Sequence, residues 1–462
     1  MSEPLRSVLI ANRGEIALRV IRACQELGIR SVLAYSQGDA GSLPVRLADQ
    51  AICIGPAQVN QSYRDPQAIV GAALALGVDA IHPGYGFLSE NADFAALCEQ
   101  EGVGFVGPAS EVIRRMGDKI EAKEIARRAG VPTVPGSVGA VTEFAEALAV
   151  AREVGFPLLI KASAGGGGRG MRVVPSADTL EQDLSEIMSE AETAFGDPSV
   201  YIERYLTDIR HIEVQVISDG VTTLHLGERD CTAQRRNQKL VEESPSPVLT
   251  SELREALAAS AVALCREVGY RNAGTVEFVY DNIDRTYYFI EMNTRIQVEH
   301  PVTEMVTGID LIKLQLRIAG GEALDLTQDD IVVRGHAIEC RINAEDPDRG
   351  FAPGPGLIER FRGPGGFGVR MDTHIESGYT VPPFYDSMVG KLICWGSDRD
   401  EAIERMLRAL REMQIEGVTT TAAFHREILG SARFRSGDFN TAFVAELLAA
   451  RETRAPEPVA TR

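Results

Sequence analysis

Two spacings of hydrophobic residues alternate along this chain. The stretch SVLIANRGEIALRVIRACQELGI opens with a solid apolar block, then places apolar residues at Ile16, Val20, Cys24 and Leu27, three and four apart. A solid block followed by a 3.6-residue period predicts strand, short loop, helix. The blocks SVLAYS, AICIG, AIHPGYG and GFVGP repeat the strand signal, with helical patterns such as DPQAIVGAALALG between them. Strands alternating with helices over residues 1–118 predict a doubly wound, Rossmann-like α/β domain. In such sheets ligands lie beyond the carboxyl ends of strands, where HPGYGFLSEN, His82 to Asn91, falls.

The Pro/Gly joint VPTVPGS interrupts this pattern. Residues 119–320 are expected to form a second domain, with a small lid at about 133–206. Its later strands are HIEVQVISD, VTTLHLGERD, TVEFVYD and TYYFIEMNTRIQVEH. A third, mixed α/β unit is expected at 333–447, followed by a flexible polar tail at 448–462.

Two stretches carry the strongest chemical signal. In EMNTRIQVE, read as a strand, residues two apart share a face. Glu291, Asn293, Arg295, Gln297 and Glu299 then line one face, and Met292, Thr294, Ile296 and Val298 the other. The plain alternative is a half-solvated strand. Glu291 and Asn293 would instead bracket a hard cation, with Glu277 of TVEF adding a carboxylate from a neighbouring strand; oxygen donors of this kind suit Mg²⁺ beside phosphates. HIEVQV repeats the pattern with His211, Glu213 and Gln215. RDCTAQRRNQK gathers Arg229, Arg235, Arg236 and Lys239, read either as a solvated face or as an anion pocket, with Cys231 as a bystander. The second stretch, IKASAGGGGRGMRVV, puts Lys161 ahead of four glycines between two apolar runs. It is either a linker or a hairpin whose side-chain-free tip covers a phosphate. A phosphate loop that opens a helix would carry its lysine after the glycines.

Composition narrows the choice. The 462 residues carry 66 acidic and 47 basic side chains, a net charge of −19, which argues against general binding of nucleic acid or anionic membranes. No apolar stretch approaches membrane-spanning length. Seven scattered cysteines without a CxxC pair predict a reducing, cytoplasmic setting with neither disulfides nor a zinc site. Only six of the basic residues are lysines, at 119, 123, 161, 239, 313 and 391, so each is a candidate for a place where a compact ammonium matters.

With IANRGEIA, HPGYGFLSEN, MGDK, KASAGGGGRGMRVV, RHIEVQV, ERDCTAQRRNQK, GTVEF, FIEMNTRIQVEHPVTE and ECRINAEDP in place, the chain resembles the biotin carboxylases, ATP-grasp enzymes, from about Val8 to Leu447. The resemblance implies that the glycine hairpin closes over ATP. It implies that Lys119, Lys161, Gly167 and Gly168 hold phosphates. Glu203, Arg204, Tyr205 and Leu206 would line the adenine, and His211, Gln234 and Asn237 would contact the nucleotide. Glu277, Glu291 and Asn293 would ligate Mg²⁺ or Mn²⁺. Lys239, Arg295, Gln297 and the backbone of Val298 would hold bicarbonate, Glu299 would deprotonate it, and Arg341 and Tyr85 would meet biotin. Arg204, Asn237, Pro44 and Gln50 stand where many members have Lys, His, His and Glu, and Ala164 shortens the usual five-glycine run by one.

The resemblance further implies a first half-reaction of a biotin-dependent carboxylase, with acetyl-CoA carboxylase in fatty acid synthesis favoured over pyruvate or propionyl-CoA systems. Another ATP-grasp ligase and a catalytically dead scaffold are the rival readings. The implied partners are a separate biotin carboxyl carrier protein and carboxyltransferase subunits, since no lysine here has Met on both sides. A homodimer is implied through Arg19, Arg22, Glu26, Phe367 and Arg370.

Overall fold

The computed structural model describes residues 4–163 and 170–453. The first helix, Gly14–Leu27, buries Ile16, Val20 and Cys24 as their spacing predicts, and ends at Gly28, whose φ of 69° suits a residue without a Cβ. It packs against a five-stranded parallel sheet ordered Gln50–Gly55, Arg30–Ser36, Ser7–Ile10, Ala80–His82, Gly104–Phe105. The strand order reverses at Ser7–Ile10. Beside it, the Asn12 amide donates to the carbonyls of Pro83 (2.7 Å) and Tyr85 (2.8 Å), clamping the loop that the sequence marks as a ligand edge.

The largest sheet has eight antiparallel strands: Thr286–Asn293, Asn272–Asp281, Ile209–Ser218, Thr223–Arg235, Gln238–Ser244, His336–Asn343, Met388–Gly396 and Val369–Thr373. It runs without a break from the strands expected of the second domain into those expected of the third, through pairing of Val241–Ser244 with Ala337–Cys340. A separate three-stranded sheet, Met171–Val174, Leu158–Ala162, Val200–Arg204, carries the helices Phe144–Val154 and Leu180–Phe195 around its own small core. The glycine tip, including Gly167 and Gly168, lies outside the described residues.

The strand expected to run through residues 291–299 ends at Asn293; Thr294–Glu299 is irregular and leads into the helix His300–Thr307. A β-bulge precedes that end. Phe278 pairs with Phe289, yet Glu277 pairs with Glu291, leaving Ile290 extra. Phe289 and Met292 therefore share the buried face, and Glu291 and Asn293 turn to the other.

Candidate active site

The bulge sets up a single rung across four strands. Glu291, Glu277, Glu213 and Arg229 stand opposite one another in register. Adjacent strands lie about 4.8 Å apart, so three neighbouring carboxylates share this row, an arrangement that is repulsive unless cations intervene.

The described residues supply several cations. Fully buried Arg229 uses all five of its N–H donors. They reach Glu213 Oε1 (2.5 Å), Gln215 Oε1 (2.7 Å), Thr303 Oγ1 (3.0 Å), Thr275 Oγ1 (3.1 Å) and Gln297 Oε1 (2.9 Å). Lys239 Nζ bridges Glu213 (2.6 Å), Glu277 (2.9 Å) and Glu299 (2.7 Å). His211 Nε2 lies 3.1 Å from Glu277 Oε2. Burial opposes charge on His211, but Glu277 outweighs it and raises the imidazole's pKa. Burial likewise opposes ionisation of Glu277 and Glu299, and their cationic neighbours win: Lys239 and His211 at Glu277, Lys239, Arg341 and Arg229 at Glu299. Both carboxyls are held well below the usual range.

Glu291 differs. Burial together with the charge on Glu277 pushes its pKa up, although Lys119 pulls it down. A partly open carboxylate facing a second one is a fit for a divalent cation. Asn293 completes the set: its Nδ2 donates to Glu277 (2.8 Å), and its Oδ1 accepts from Arg295 (3.0 Å).

These groups line one end of a cavity of about 880 Å³. Arg341 closes that end, donating from Nε to Glu242 (2.6 Å) and from Nη2 to Glu299 Oε2 (3.0 Å). Gln297 Nε2 donates to Glu277 (2.9 Å). The Arg295 Nε bonds to Glu90 (2.8 Å) from the HPGYGFLSEN loop. Tyr85 lines the cavity with its hydroxyl donated to Glu15.

Away from Glu299, Lys119, Lys123, Lys161, Tyr205 and Leu206 line the walls, as do Asn237 and Gln234, the latter paired in register with Lys239. The Glu203 side chain bridges Lys123 and Lys161, the latter at 2.6 Å. Two ammonium groups share one carboxylate, and burial lowers them to about 7 at Lys123 and about 8 at Lys161. Arg204 turns outward to Tyr288 (2.9 Å) and Asp284 (3.0 Å), joining the small sheet to the large one.

The basic cluster of RDCTAQRRNQK is not one anion pocket. Arg229 is internal scaffold, and Arg235 lies over the Phe351 ring at 4.1 Å. Arg236 and Asn237 form the hairpin turn with positive φ of 49° and 64°. Asn tolerates that conformation well, which accounts for its presence at 237. Cys231, beside Glu299, stays a protonated thiol because burial and nearby carboxylates raise its pKa. The sequence marks Lys123 and Lys391 only as two of six scarce lysines, and gives no individual sign of Glu90, Glu15 or Glu242.

Comparison with known proteins agrees with this architecture. Residues 4–113 match the biotin carboxylase N-terminal domain, 118–327 the ATP-binding domain of the carbamoyl-phosphate synthase L chain, and 339–446 the biotin carboxylase C-terminal domain. Biotin carboxylase 1 of Bacillus subtilis is 55% identical over 95% of this chain and 98% of its own. A pyruvate carboxylase subunit from Methanothermobacter thermautotrophicus is 54% identical, over 95% of this chain and 89% of its own. The biotin carboxylase domain dimer of the Hydrogenobacter thermophilus 2-oxoglutarate carboxylase, solved with MgADP, ADP and bicarbonate, superposes with a TM-score of 0.89. It is 48% identical and covers 98% of this chain and 100% of that one. No helix among the described residues is long and apolar enough to cross a membrane. The chain belongs to the biotin carboxylase family and is an ATP-grasp ligase.

Proposed function

We propose that the chain joins bicarbonate to ATP and passes the carboxyl group to biotin held on a separate carrier protein. The observation that carries this is Glu299, fixed between Lys239 and Arg341 at one end of a cavity whose other end holds Lys119 and Lys161. Bicarbonate attacks the γ-phosphorus and ADP leaves, forming carboxyphosphate. Lys119 and Lys161 neutralise the phosphates, with backbone donors from Gly167 and Gly168 of the glycine tip. Glu277, Glu291 and Asn293 would hold Mg²⁺ or Mn²⁺, which would neutralise phosphate charge. Lys239, Arg295, Gln297 and the Val298 N–H orient bicarbonate.

Glu299 takes the bicarbonate proton. A carboxylate held at low pKa is a weak base, and an incoming anion corrects this. Its negative charge beside Lys239 and Arg341 offsets theirs, so Glu299 is depressed less. Carboxyphosphate then breaks to CO₂ and phosphate. Phosphate removes the ureido N1 proton of biotin, Arg341 stabilises the resulting enolate, and N1 attacks CO₂. In this reading Tyr85, which lines the cavity, contacts the biotin ring.

The acceptor we propose is acetyl-CoA, in fatty acid synthesis in the cytoplasm, with carboxyltransferase subunits as partners. The near-equal identity to a pyruvate carboxylase component supports pyruvate as the second reading. A homodimer is supported by Phe367, 78% exposed against Trp395 and Arg405, and by the dimeric relative. The test is ATP cleavage with and without bicarbonate and biotin, then reconstitution with carrier and transferase using acetyl-CoA or pyruvate. ATP cleavage indifferent to bicarbonate would defeat the reading.

A further inference from the structure

Lys391 is fully buried in the strand Met388–Gly396 and does not line the cavity. Its Nζ lies 2.9 Å from the Val298 carbonyl oxygen and 3.1 Å from Glu15 Oε1, with the Tyr85 ring centroid at 5.9 Å. Glu15 also accepts from the Tyr85 hydroxyl. One ammonium thus ties the parallel-sheet unit to the turn Gln297–Glu299. A buried charge pair is weak evidence for stability, since apolar groups of the same volume fill such space at lower cost. What this pair does for the turn is more specific.

A second anchor lies one peptide earlier. His300 Nδ1 is 2.7 Å from the Gln297 carbonyl oxygen. A carbonyl only accepts, so Nδ1 carries the proton; burial keeps the ring neutral by lowering its pKa far below the usual value. Both peptides of the turn are trans. In a planar trans peptide the N–H points opposite the C=O. Drawing the Gln297 carbonyl towards His300 turns the Val298 N–H away from it, and drawing the Val298 carbonyl towards Lys391 does the same for the Glu299 N–H. Both anchors are buried, whereas Val298 and Glu299 line the cavity. Among the described residues neither N–H meets an acceptor. Two successive N–H groups facing one concavity suit an anion.

We propose that Lys391 is a positioning residue for the bicarbonate end of the cavity, holding the Val298 carbonyl back so that the turn presents its N–H groups to the anion. This rests on the bicarbonate reading above. Lys391 acts through the backbone and touches no substrate.

The test is steady-state, bicarbonate-dependent ATP cleavage with free biotin. Lys391→Met raises the bicarbonate KM about tenfold, the size of one hydrogen bond to a charged group, and leaves the ATP KM within about twofold. The single variant strands Glu15 as an unpaired buried carboxylate, so Glu15→Leu with Lys391→Met is made in parallel. It removes the pair together, folds by thermal melt, and still shows the raised bicarbonate KM. In the wild type, bicarbonate added with MgADP slows hydrogen exchange across residues 297–300. An unchanged bicarbonate KM in the double variant, or exchange indifferent to bicarbonate, overturns the positioning role. A wild type whose ATP cleavage ignores bicarbonate overturns the functional reading instead.

Discussion

The two ends of the cavity are built differently. At the Glu299 end the charges around Glu299 are held by side chains from several parts of the chain: Glu90 and Glu15 from the parallel-sheet unit, Glu213 and Glu277 from central strands, Arg341 and Lys391 from strands beyond them. At the Lys161 end the support is a three-stranded sheet with its own small core. Arg204 ties that sheet to the large one, and the chain leading into it bridges Thr133 to Phe289. The contrast fits the tasks we propose for the two ends. Charge develops where bicarbonate reacts, and fixed dipoles and ions stabilise it without reorganising. Nucleotide must enter and leave at the other end, which calls for a part that moves as a body.

The strongest way to break this comparison is Glu299→Gln. Removing a positioned base typically costs ~10²–10⁴ in rate, so kcat for bicarbonate-dependent ATP cleavage falls by that range with the ATP Kd unchanged. Near wild-type turnover would mean that the rigid end is not where the proton moves. Next in size is Arg229→Met. It leaves Glu213 ionised in the interior, and breaking a buried pair this way destabilises by about 3–5 kcal/mol. Chemical denaturation reads this directly; a midpoint equal to wild type would show that the rung does not depend on its arginine. At the other end, Lys161→Met removes a charge-assisted contact worth about 2 kcal/mol, roughly thirtyfold in ATP KM, while the bicarbonate KM stays put. Equal changes in both constants would merge the two ends into one. The smallest effect belongs to Arg172→Ala. Its ion pairs with Glu186 and Glu190 lie at the protein surface, where water and salt screen such pairs, so the melting curve stays close to wild type. A larger loss in the melting curve would mean that the small sheet relies on surface charge more than on its core.

Much of the site was legible because it is periodic. His211, Glu213 and Gln215 share a face as a two-residue repeat requires, and Glu277 lies directly opposite Glu291. The same rule extended the last strand too far. Gln297 and Glu299 reach the site from an irregular turn, and their parity with Glu291 does not come from strand geometry. Contacts made across the fold left no local trace. Glu90 meets Arg295 across 205 positions, Lys391 meets Val298 across 93, and neither separation has a pattern to read. The arginines around position 235 misled for a related reason: neighbours in sequence took three different environments in space.

The extra residue at Ile290 has a consequence for how variants of this chain are to be judged. Deleting it would leave Phe289 opposite Phe278 and Glu291 opposite Glu277, the register of an unbroken ladder, so the shortened chain would keep its acids on the same face. Adding one residue between Glu291 and Met292 would instead turn Asn293 towards the hydrocarbon interior unless a second bulge absorbed it, with every acid, amide and lysine of the site still present and in the same order. A residue-by-residue inventory would score the longer chain as intact and the shorter one as damaged, the reverse of what the ladder implies.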